Sequence, residues 1–216
     1  MRTPAASPPP GSPAGAEPYA GVVVAGGEAR RLGGVDKPML EIDGRTLLAR
    51  SLEALAGADP LVVVGPRREG VSGVRWTREE PPGGGPVAAV AAGLSIVDRP
   101  RVVVLAADLR GITAAVVDRL LGALDRDPGA GGPEGGTVRG AADRPPADAV
   151  DGAVLVDSAG RRQWLVGAWR TAALRAALPT RPEGLALRRV LNGLTIVDVP
   201  ARGDESADVD TVDDLP

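Results

Sequence analysis

Val22-Val23-Val24-Ala25-Gly26-Gly27-Glu28-Ala29-Arg30-Arg31-Leu32-Gly33-Gly34-Val35-Asp36-Lys37 is the stretch on which the fold turns. A β-branched run breaks into two glycines, then two arginines, two more glycines and the chain's only lysine, with no apolar periodicity across the break. That pattern predicts a strand delivering a loop. Glycines tolerate positive φ and let a ligand approach the main chain, so successive N–H groups of such a loop can converge on a phosphate. Arg30 or Arg31 and Lys37 supply the charge, the arginine as a planar fork and the lysine as a point charge.

Two familiar phosphate motifs fail on their offsets. A P-loop requires Gly-Lys followed by Ser or Thr, whereas Lys37 follows Asp36 and precedes Pro38. The dinucleotide fingerprint G-x-G-x-x-G is not supplied by Gly26, Gly27, Gly33 and Gly34. The residues do match Ala-Gly-Gly-x-x-x-Arg-(Leu/Met)-Gly-Gly-x-Asp-Lys, and on this loop the chain resembles the nucleotidyltransferases related to molybdenum cofactor guanylyltransferase. The wider nucleotidyltransferase superfamily usually carries Pro-Lys where this chain has Asp36-Lys37, so the resemblance points to the molybdopterin branch. A glycine-rich surface turn is the alternative reading.

Composition narrows the chemistry. The 216 residues, with 44% hydrophobic and 25% charged content, suit one α/β domain with its own core. With no Phe, one Tyr and three Trp, that core must be built from Val, Leu, Ala and Ile, as in a buried parallel sheet. A formal net charge of -3 leaves no basic field for a nucleic-acid backbone. The absence of Cys and His removes thiol nucleophiles, Ser-His triads and zinc sites, so any metal is held by oxygen, which favours Mg²⁺ or Mn²⁺. Residues 1–18 are Pro-rich and read as a disordered tail. No apolar run reaches the ~20 residues that span a bilayer, and a cytoplasmic protein is expected.

The expected architecture for residues 19–216 is a Rossmann-like, mostly parallel α/β sheet with helices on both faces. Tyr19 to Ala25 is the first strand; Thr46 caps a helix carrying Leu47, Leu48, Leu52 and Leu55; Leu61 to Gly65 is a second buried strand. In a doubly wound sheet the end of that second strand shares an edge with Gly26, which makes Gly65 a candidate floor for a nucleotide. A short strand at Val74–Trp76 leads into a second glycine-rich loop, and Gly85-Pro86 opens a small-residue helix to Leu94. Arg101 to Ala107 is the most hydrophobic strand and ends in Asp108, which at that edge is a candidate Mg²⁺ ligand, with a helix cap as the alternative. Residues 127–147, dense in Gly, Pro, Asp and Arg, read as a mobile insertion. Further strands are expected at Val150–Val156, Arg161–Arg170 and Leu194–Val199, and helices at Thr171–Leu178 and Leu185–Leu191.

The resemblance adds roles to these positions. It implies that Val24, Ala25, Gly26, Gly27, Arg31, Gly34 and Lys37 cradle the triphosphate and that Gly85-Pro86 lines base and ribose. It implies that Asp108 binds Mg²⁺ and that the terminal Asp208-Val209-Asp210-Thr211 segment supplies a second metal ligand, Asp210 before Asp208; Thr211 with Asp214 also reads as a cap for a stub of helix, and the two readings are compatible. Gln163 and Trp164 would pass near a pterin, or Trp164 is simply core. Two departures stand out, Arg110 and Val212, where the family prefers Pro. The implied reaction is Mg²⁺-dependent transfer of GMP from GTP to molybdenum-loaded molybdopterin, with Arg31, Lys37 and Asp108 as the catalytic residues. Implied partners are molybdenum-insertion or molybdoenzyme-maturation proteins, for a monomer or weak homo-oligomer. The alternatives are a cytidylyl- or other nucleotidyltransferase with a different phosphorylated acceptor, or a catalytically inactive GTP-binding regulator.

Overall fold

The computed structural model describes residues 17–26, 36–126 and 149–209. Strands β1 (Tyr19–Val24), β4 (Leu61–Val64), β5 (Arg75–Thr77), β6 (Arg101–Ala106), β7 (Gly152–Val156), β8 (Arg162–Arg170) and β9 (Ile196–Pro200) form one sheet in the order β5-β4-β1-β6-β8-β7-β9. The left half, β5-β4-β1-β6, is parallel throughout. Strand β8 runs against both neighbours, β6 and β7, while β9 pairs parallel with β7. Mostly parallel is therefore correct, and the one reversal follows from a hairpin: β7 turns directly into β8 through Asp157–Arg161, too short a link for a parallel crossover.

Strict alternation along the central strands divides the core. Val23, Val63, Val103 and Leu105 face one side, where Leu48 and Leu55 from the region of α1 (Leu47–Ala54) pack with Val117 and Leu120 of α3 (Ala114–Leu124). Val22, Val64 and Val104 face the other, against Val87, Val90 and Leu94 of α2 (Pro86–Leu94), Leu174 of α4 (Thr171–Ala177) and Leu191 of α5 (Leu187–Leu191). Both faces are covered, so a near-continuous run of β-branched residues suits these strands. Gly93 of α2 lies over Val22, where a Cβ would stand 2.6 Å from Val22 Cγ1; the small-residue helix thus sits close on its sheet.

The Thr46 cap is present: its Oγ1 accepts from the Ala49 N–H at 3.1 Å, satisfying one of the first-turn donors. The stretch before it is a small hairpin of β2 (Glu41–Ile42) and β3 (Arg45–Thr46). Asp43 and Gly44 both take positive φ at its tip, as two-residue hairpins require. Helix α5 begins at Leu187 rather than Leu185, and β9 at Ile196 rather than Leu194.

Candidate functional site

The carboxyl ends of β1, β4 and β6 meet at one edge. Their ladder runs one residue past each strand: Ala25 N–H donates to Val64 O at 2.8 Å, Gly65 N–H to Thr77 O at 2.9 Å and Ala107 N–H to Val24 O at 3.0 Å. Open α/β sheets bind ligands at such an edge. Gly65 sits there with φ +149°, and a Cβ on it would stand 2.8 Å from Ala25 O and 3.1 Å from Gly26 N. Only a glycine lets the two strand ends close together, so Gly65 acts as a support beneath Ala25 and Gly26.

Lys37 opens a 3₁₀ turn, Lys37–Met39, held by Met39 N–H to Asp36 O at 2.8 Å and Leu40 N–H to Lys37 O at 3.1 Å. Its Nζ lies 3.0 Å from Asp108 Oδ2, with both side chains partly open to solvent. The chain's only lysine and the candidate metal ligand, 71 residues apart by their numbers, thus meet beside the end of β1. Asp108 does not cap α3, whose N-cap is Thr113.

The second glycine loop shares the edge. Gly85 is the N-cap of α2 with φ +87° and ψ −177°, a region essentially confined to glycine, and Pro86 occupies the first turn. Gly184 N–H donates to Gly84 O at 2.9 Å, so the chain before α5 braces this loop. Glu79 lies just upstream, 6% exposed. Its Oε1 accepts from the Gly83 N–H at 3.0 Å, while Oε2 is buried with no partner. A Cβ on Gly26 would come within 3.7 Å of Oε1 and 3.9 Å of Oε2, so this carboxylate underlies the first loop's entry. Sequence reasoning read Glu79 only as loop; its place directly after a short strand ending at the same edge was the available signal.

The end of the described chain returns to Asp108. Leu109 and Asp208 form an antiparallel bridge, with Arg110 N–H donating to Ala207 O at 3.0 Å and Val209 N–H to Asp108 O at 3.1 Å. Val209 is fully buried with Ile42 and Leu47. The turn leading here is tied to α3 by Arg119, which forks Glu205 at 2.8 and 2.6 Å. That fork lowers the Glu205 carboxyl below its usual range, helped by the Arg202 N–H, and raises the Arg119 guanidinium. The backbone of Asp208 thus lies opposite Leu109, one residue past the metal candidate. Gly27, Arg31, Gly34 and Asp210 lie outside the described residues, as do the insertion 127–147 and residues 1–16 of the tail.

Because β8 is antiparallel and Val166 pairs with Leu105, Gln163, Trp164 and Leu165 emerge at the same edge as Asp108. Gln163 donates to Asp157 Oδ2 at 3.0 Å, and Arg162 stacks over Trp164 at 5.6 Å while pairing with Asp198. Asp157 is held below the ordinary carboxylate range, first by the Arg161 backbone N–H. Trp164 packs partly on the core and Trp169 wholly in it.

The molybdenum cofactor guanylyltransferase of Bradyrhizobium sp. (strain ORS 278) is 42% identical over 113 residues, 48% of this chain and 53% of that protein. The match therefore spans about half the length of that curated relative. A nucleotidyl transferase from Methanothermobacter superposes with a TM-score of 0.65 at 18% identity, over 92% of this chain and 94% of the other. The molybdopterin-guanine dinucleotide biosynthesis protein A of Archaeoglobus fulgidus does so with a TM-score of 0.59 at 18% identity, over 91% and 94%. At these identities the structural likeness is one of fold. The MobA-like NTP transferase domain matches residues 21–199, most of the chain, and it is to this family that the chain belongs.

Proposed function

We propose that this chain transfers GMP from GTP to molybdenum-loaded molybdopterin with Mg²⁺, releasing pyrophosphate. The family and the relative's name support the reaction class, and one observation carries the site: Lys37 Nζ lies 3.0 Å from Asp108 Oδ2 at the edge where β1 enters the glycine loop. In this reaction an oxygen of the acceptor phosphate attacks the α-phosphorus, the bond to the β-phosphate's bridging oxygen breaks, and pyrophosphate leaves with the electron pair. No protein nucleophile is required, which suits a chain without Cys or His. Alignment and charge neutralisation carry the rate.

Asp108 fits a Mg²⁺ ligand: a hard oxygen donor, partly open, held at the crevice. Among the described residues no group of three His, Cys, Asp or Glu gathers to cage an ion, and Mg²⁺ ordinarily takes one or two carboxylates with phosphate oxygens and water completing its shell. Bound there, the ion would neutralise charge shared by the α-phosphate and the acceptor. Lys37, at the same edge, would supply a positive charge to the triphosphate. The relative's name supports guanine as the base.

The test is pyrophosphate release by the purified full chain with Mg²⁺ and GTP, CTP, ATP or UTP, each with and without molybdenum-loaded molybdopterin. Release that needs both GTP and the pterin is expected. Release with CTP instead overturns the base assignment, and GTP binding without release under any condition overturns the transferase in favour of a binding regulator.

A further inference from the structure

Arg68, which no motif or periodicity singles out, is almost completely buried at its side chain, 7% exposed. Its guanidinium serves three segments. Nε donates to Asp36 Oδ2 at 2.7 Å and Nη2 to Asp36 Oδ1 at 2.6 Å; Nη2 also donates to Ala25 O at 3.1 Å and Nη1 to Pro66 O at 3.2 Å. Ala25 and Asp36 stand on either side of the glycine-rich stretch, and Lys37 follows Asp36 directly. Pro66 belongs to the turn after β4. One planar fork thus joins the end of β1, the residue before the catalytic lysine and the neighbouring strand's exit.

We infer that Arg68 and Asp36 are positioning residues that fix the backbone from which Lys37 reaches the triphosphate. The inference rests on the transferase reading for its kinetic consequences and on the geometry alone for its structural ones. Four of the guanidinium's five N–H donors are spent on protein atoms, so Arg68 is not itself free to clamp a phosphate. A bidentate Arg–carboxylate pair fixes orientation as well as distance, and here two main-chain carbonyls also hold the guanidinium. Asp36 is accounted for by the same geometry, since its carboxylate is an anchor facing Arg68 and not a ligand for the substrate's metal. Asp36 is half-exposed, so the hold comes from the fork and the buried guanidinium more than from charge attraction.

The full chain is tested as wild type, Arg68→Ala, Arg68→Lys, Asp36→Asn, Lys37→Ala and the Arg68→Ala/Lys37→Ala double variant. Binding of Mg·GTP is measured by calorimetry, turnover by pyrophosphate release, and amide hydrogen exchange at Met39 and Leu40 against Val62–Val64 as the internal control. Arg68→Ala and Asp36→Asn should each weaken GTP about 10–100-fold, the range typical of groups that orient a site's ligands, and speed exchange at Met39 and Leu40 but not in β4. Arg68→Lys, which cannot fork, should recover only part of the loss. Arg68→Ala should add nothing to Lys37→Ala. Additive losses would make Arg68 a direct phosphate contact and overturn the inference, as would unchanged exchange at Met39 and Leu40. If the wild type neither binds nor turns over GTP, the transferase reading falls, and the exchange comparison still decides the positioning role.

Discussion

Gly65→Ala is the perturbation that most directly links the sheet to the site. The added methyl would stand 2.8 Å from Ala25 O and 2.9 Å from Ala25 C, both backbone atoms, so no side-chain rotation relieves it. The backbone at residue 65 also holds φ +149°. Holding a non-glycine residue in so sparse a region costs about 1–3 kcal/mol, and forcing a methyl into packed backbone about 1–3 kcal/mol more. A combined loss near 4 kcal/mol corresponds to a fall in Tm of about 8–16 °C for a domain of this size. The alternative for the chain is to part β1 from β4 at their carboxyl ends, moving Ala25 and Gly26; displacement of about 1 Å in a positioning element costs on the order of 10² in rate. Calorimetric unfolding should show the first effect, and GTP binding well below the variant's Tm the second. Gly122→Ala is the control: nothing lies within 4 Å of its Cβ, and in the interior of α3 the exchange should gain up to about 1 kcal/mol. A Gly65→Ala protein that melts with the wild type and binds GTP equally well would refute the account of Gly65 as the support under the loop.

Lys37→Ala should cost on the order of 10²–10³ in turnover, the scale for one lost charge donor. The same change should leave unfolding within about 1 kcal/mol of wild type, because the partly exposed Lys37–Asp108 pair adds little to stability; urea titration alongside the pyrophosphate assay checks both. Glu205 titrates below its unfolded value because of Arg119, so its contribution is complete above the unfolded pKa of about 4.3 and is lost as pH falls through the lower, folded value. Urea unfolding of Glu205→Gln against wild type should therefore show a gap at neutral pH that narrows across that acid window; a gap that persists unchanged to lower pH would contradict the linkage.

What could be read from the chain depended on how local the cause was. Val22–Val24, Leu61–Val64 and Arg101–Ala106 announce themselves as buried strands because both sheet faces are covered, and Thr46 announces its helix through a cap within four residues. The place of Asp108 at a strand end and the charge of Lys37 were legible. Their pairing, the burial of Glu79 and the Arg68–Asp36 fork depend on contacts between distant segments, which no periodicity encodes. Arg110, where the family prefers Pro, has a local use: its backbone N–H donates to Ala207 O, a bond proline has no hydrogen to make. Beside it, Gly111 is packed so tightly on Asp204 that any side chain there would collide with the backbone. The chain thus uses residues 108–111 as a seat for 204–209, locked by the Arg119–Glu205 fork and the buried Val209. That seat brings the backbone of residues 207–209 against the residues that follow β6. Arg110 therefore marks a different way of fastening the closing segment to the end of β6.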